Sequence, residues 1–88
     1  MSLKNEFESL LVNLDSVREE LQLKLHLASM DAKDEFAEAE KQWLQVKNKA
    51  AEIADESIDT SEEYIAKAKI VGEELKEAYQ RVAKRLSE

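Results

Sequence analysis

His26 is the single histidine and cysteine is absent, so acid–base, nucleophilic or metal chemistry would have to be built from one imidazole and from carboxylates. On a helix, a catalytic or metal-bound imidazole wants carboxylates three or four residues away, as in the Glu-x-x-His pairs of di-iron bundles. Those offsets hold Gln22, Leu23, Ser29 and Met30. His26 therefore reads as a polar residue at the edge of a helical stripe. Carboxylates are densest at Asp31, Asp34, Glu35, Glu38 and Glu40, with Asp31, Glu35 and Glu38 on one helix face. A helix lacks the loop geometry that wraps calcium, so the cluster reads as a solvated face or a surface for a basic partner. One glycine, one histidine and no cysteine assemble no phosphate-binding loop, Ser/His/Asp triad or thiolate metal site. The prediction is a non-enzymatic protein with no cofactor and no metal.

Trp43 is the remaining residue with a claim to function, since tryptophan often anchors binding surfaces. It stands in register with the apolar residues around it, so core packing is the better reading. Leu44 and Gln45 follow it, which departs from the Trp-x-Gly turn of small secreted helical hairpins.

Composition defines the elements that must carry these residues. The 88 residues include no proline and one glycine, are 38% charged and 43% hydrophobic, and are rich in Ala, Leu, Glu and Lys. That is the composition of long helices, in a chain whose small size limits how much surface it buries alone. The net charge of −7 divides as −2 over residues 1–30, −4 over 31–57 and −1 over 58–88. Nucleic acid is excluded as a partner on this balance, because binding it rests on a basic face. Lys76, Arg81, Lys84 and Arg85 form the one relatively basic end, where cations favour a helix C-terminus. MSLKNEFESLL does not read as a secretory signal, and no run approaches the ~20 apolar residues of a membrane span. A cytoplasmic protein is expected.

Leu3, Phe7, Leu10, Leu14, Val17 and Leu21 are spaced 4, 3, 4, 3, 4, the a/d spacing that puts all six on one stripe. The register continues through Leu25, Ala28, Ala32, Phe36, Ala39, Trp43, Val46, Ala50 and Ile53 without a breaker. LQLKLHL, residues 21–27, alternates like a strand, but leucine is a strong helix former and β-branched residues are missing there. On a helix it makes two strips, Leu21/Leu25/Ala28 and Leu23/Leu27/Met30, as expected where more than two helices meet. The one expected break is at SIDTSEE, residues 57–63, where Thr60 with Glu63 or Asp59 with Glu62 fits a capping box. An unbroken helix would run ~130 Å, implausible for a short soluble chain.

The fold class predicted is all-α: helix 1 over about 3–57, a turn at 58–60 and helix 2 over about 61–86, forming one coiled-coil-like antiparallel hairpin. Reflection about residue 59 pairs Ile65 with Ile53, Gly72 with Val46, Leu75 with Trp43, Tyr79 with Ala39 and Val82 with Phe36. The glycine would allow close approach of the two axes. Helix 2 covers helix 1 only back to about Ala32, leaving Leu3, Phe7, Leu10, Leu14, Val17, Leu21 and Leu25 bare, at a cost on the order of 10 kcal/mol. A second copy is the simplest cover, so the row is the expected self-association surface of a homodimer, with a tetrameric bundle next. The resulting expectation is a structural or adaptor protein that presents charged faces to a protein partner.

Two other classes compete. VKNKAAEIADESIDTSEEYIAKAKI, residues 46–70, resembles the Ala/Lys/Glu-rich segments of desiccation-protective proteins, which implies a stress-protective or membrane-surface helix. Its polar face is acidic where a membrane helix favours lysine and arginine. In size and charge the chain also resembles short acidic antitoxins and secretion chaperones, which implies docking of the leucine row on a different protein.

Overall fold

The computed structural model describes residues 2–55 and 57–87. They form three helices, α1 (Leu3–Leu25), α2 (Met30–Ala54) and α3 (Glu62–Leu86). Each begins at a serine in extended conformation whose hydroxyl accepts a backbone N–H three residues on: Ser2 from Asn5, Ser29 from Ala32 and Ser61 from Tyr64. Such caps satisfy one of the N–H groups that a helix start leaves without an intrahelical partner. The cap of α3 thus falls one residue beyond the expected Thr60.

The main departure from the expected hairpin is at His26–Ser29. The apolar register runs through these residues, yet the chain turns there and folds α1 back alongside the rest. Ser29 marks the break, and Asp31 follows in the first turn of α2, where a negative charge suits the helix N-terminus. The continuous helix of about 3–57 is therefore two helices. Glu56, which that span included, lies outside the described residues. At the other connection, Asp55 caps α2, its N–H donating to the Ala51 carbonyl. Asp55 Oδ1 accepts from the Ser57 hydroxyl at 2.7 Å and the Ser57 amide at 2.9 Å, an Asx turn that starts the reversal.

The helices run up, down, up. α2 is antiparallel to both neighbours: Phe36 stacks on Tyr79 (ring centroids 5.9 Å apart) while Glu52 meets Tyr64, and Arg18 pairs with Glu40 while Leu11 and Val12 lie at the level of Lys47 and Ala50. α1 runs in the same direction as α3: Glu6 meets Lys69 at 3.3 Å, and Leu10 and Leu14 lie against Gly72. α3 packs extensively on both neighbours, whereas α1 and α2 touch sparsely. The core is one cluster drawn from all three helices, including Phe7, Leu14 and Leu21 of α1, Phe36, Ala39, Trp43, Val46 and Ile53 of α2, and Ile65, Ala68, Leu75, Tyr79 and Val82 of α3.

Candidate interaction surface

All the residues expected to hold the hairpin together, Phe36, Trp43, Val46, Ile53, Ile65, Gly72, Leu75, Tyr79 and Val82, are buried. α2 and α3 run antiparallel, as the reflection about residue 59 supposes, but Phe36 stacks on Tyr79 where the reflection sets it against Val82; Glu52 accepts the Tyr64 hydroxyl and Glu35 pairs with Arg85 at 2.8 Å. Gly72 differs. A Cβ built on it would meet Leu10 Cδ2 at 2.8 Å and Leu14 Cδ1 at 3.8 Å, so the close approach it allows is to α1.

The row assigned to self-association lies inside the chain's own bundle. Phe7, Leu14 and Leu21 are buried, and Leu3, Leu10, Val17 and Leu25 are partly buried against the same core. The uncovered stripe that motivated a second copy is absent from the closed fold, because α1 folds onto α3 instead of extending beyond it. His26 stands exposed at the C-cap of α1.

Arg18 holds the sparse α1–α2 seam. Its Nε donates to both Glu40 carboxylate oxygens, at 2.8 and 3.0 Å, and its guanidinium lies over the Trp43 ring, 5.4 Å from the centroid. A planar cation serves both contacts at once in a way that an ammonium does not. The Tyr79 hydroxyl is buried without a hydrogen-bond partner. Burial, reinforced by the Glu40 carboxylate and partly offset by Arg18, pushes its ionisation well above the ordinary tyrosine range.

The acidic residues of α2 do not converge. Glu35 is turned to Arg85, Glu38 to Lys41 at 3.2 Å, and Glu40 to Arg18. Among the described residues no group of three or more His, Asp or Glu side chains is arranged to hold a metal ion. The groove between α2 and α3 is lined by both signs, with Asp34, Glu38, Lys41 and Arg81 around Gln42 and Ala78. No helix is long and apolar enough to cross a membrane among these residues.

What stands out on the surface is apolar. Leu23, Leu27 and Met30 are 76%, 87% and 69% exposed, and they follow one another through the corner where α1 turns into α2. Exposed Val12, Leu44, Ile58 and Ile70 are spread along the bundle and need no special account. The alternation in LQLKLHL, read as a meeting place of helices, thus supplies a core side through Leu21 and Leu25 and an exposed side through Leu23 and Leu27. Lys24, Asp31 and Arg85 border this corner.

Comparison with protein-family models, curated proteins and solved structures yields no match to this chain.

Proposed function

We propose that the protein is a non-enzymatic structural or adaptor helical bundle that self-associates and presents its charged outer faces to a protein partner. The observation that carries this reading is the exposed strip of Leu23, Leu27 and Met30 at the α1–α2 corner. Large apolar side chains held in water at one corner are removed from it most simply by another protein surface. Lys41, Lys67 and their carboxylate partners face outward on α2 and α3, leaving charged faces for recognition that does not depend on the apolar corner.

Equilibrium sedimentation of the wild-type chain and of Leu23→Ser/Leu27→Ser/Met30→Ser, over micromolar to millimolar concentration, tests this. A wild-type dimer that the triple variant weakens at least tenfold is the expected result. A chain that stays monomeric throughout overturns self-association. Docking of the same strip on a different protein would then take its place.

A further inference from the structure

Resting on the self-association reading, we propose that the second copy is engaged by exchange of α1: His26–Ser29 opens into helix, residues 3–54 become one continuous helix, and α1 of each chain packs on α2 and α3 of the other. The connection is chemically unlike a fixed turn. It contains no glycine or proline, and no described residue has positive φ. His26 still has helical torsions (φ −65°, ψ −18°), and Ser29 already has a helical φ of −66°, departing from helix through its ψ of 161°. Of the four torsions at these two residues, the Ser29 ψ is the one that stands outside the helical range.

The side chains agree with an opened corner. The a/d register passes through it as Leu21, Leu25, Ala28, Ala32 and Phe36, so the two apolar faces would join into one stripe. Leu23, Leu27 and Met30, exposed in the closed bundle, fall at i, i+4 and i+7 on the opened helix and form a single strip. In a two-fold dimer the opened helices lie antiparallel and cross at their centres, facing each other through the side that carries Arg18, Glu40 and Trp43, with the Leu23, Leu27 and Met30 strip on the outer side. Exchange changes none of the contacts α1 makes. Leu10 and Leu14 against Gly72, Glu6 with Lys69, and Arg18 with Glu40 and Trp43 form between chains as they do within one. The opened helix is about 78 Å long at 1.5 Å per residue, and each end carries one α3. The exchanged dimer therefore keeps the closed core and joins the Leu21, Leu25, Ala28, Ala32 and Phe36 row into one unbroken stripe through the corner.

The test uses the absence of native cysteine. Leu10→Cys with Gly72→Cys places thiols where α1 and α3 already approach most closely. The dimer is isolated by size exclusion, oxidised and run without reductant. Exchange predicts a covalent dimer. Disulfides confined within single chains would overturn exchange while leaving self-association through the surface intact. No dimer at any concentration would overturn both. Ser29→Ala supplies a measurement that does not depend on the cysteine pair, because it removes the α2 cap and favours continuous helix. It is expected to tighten dimerisation about tenfold, whereas Ala28→Gly weakens it. A dimerisation constant unmoved by both substitutions also overturns exchange.

Discussion

Tyr79 places a hydroxyl with no partner in the middle of the core, a polar atom that carries its desolvation cost without compensation. Removing it in Tyr79→Phe keeps the Phe36 stack and is expected to raise stability by about 1 kcal/mol, read as a rise of several degrees in the circular dichroism melting midpoint. The same hydroxyl sets an alkaline limit. Its ionisation is raised in the folded state, chiefly by burial, so its contribution is complete below the ordinary tyrosine value of 10.0 and is lost as pH climbs beyond it. Wild type should lose helicity in that window, and Tyr79→Phe, with Tyr64 retained, should lose it later. Arg18 makes the opposite case, a charge engaged by both the Glu40 carboxylate and the Trp43 ring. Arg18→Ala is expected to cost about 1–2 kcal/mol in a urea melt, between the worth of an exposed pair and that of a charged hydrogen bond. Arg18→Lys should recover less than half of that, since it loses the paired contact with Glu40.

Between helices, Gly72 decides how closely α1 lies on α3. The atom a new Cβ would meet is Leu10 Cδ2, at 2.8 Å, the end of a partly exposed side chain that can rotate away. In Gly72→Ala that displacement is offset by helix propensity of about 1 kcal/mol, so the variant should melt within about 1 kcal/mol of wild type. Gly72→Val has two γ methyls to place in the same gap and should lose about 2–3 kcal/mol, with the loss visible in the same melts. The all-helical character was legible in the heptad rows, because large apolar side chains at 3–4 spacing leave few alternative faces to bury. The α1–α2 corner was not. Ala28 and Ser29 break no periodicity, and Leu25, Ala28 and Ala32 step across the turn as though it were helix. The signal that was present is Ser29 with Asp31, a serine cap followed by first-turn acid, of the same kind that drew attention to residues 57–63. Serine and aspartate there compete with a strong apolar rhythm, and only the packing of α1 onto α3 resolves the competition.

Over the whole molecule, that corner decides between shapes. The closed bundle measures 43 × 21 × 18 Å with a Cα radius of gyration of 14.1 Å. Small-angle scattering from dilute protein should give a value close to this, with a single compact pair distribution. A chain holding residues 3–54 as a rod of about 78 Å would give a distinctly larger radius and a long tail, so dilution series read the two forms directly. The expectation of a bare leucine row followed from measuring how far one 26-residue helix could cover another. It failed because the uncovered part was free to fold back. The candidate surface was legible only in part: Leu23, Leu27 and Met30 were singled out as a second strip, but their exposure depends on where the turn falls, which their own spacing does not specify.

The lone tryptophan turns these distinctions into a signal. Trp43 is only 8% exposed, and the group that lies over its ring comes from α1. Its emission therefore reports on a helix to which it does not belong. When α1 leaves, the indole is the chromophore that meets water, and the spectrum should shift to the red before the α2–α3 helicity is lost. Re-docking on a second chain would restore the blue emission at a rate that grows with protein concentration. A chain without labels thus carries its own clock for the docking of its first helix.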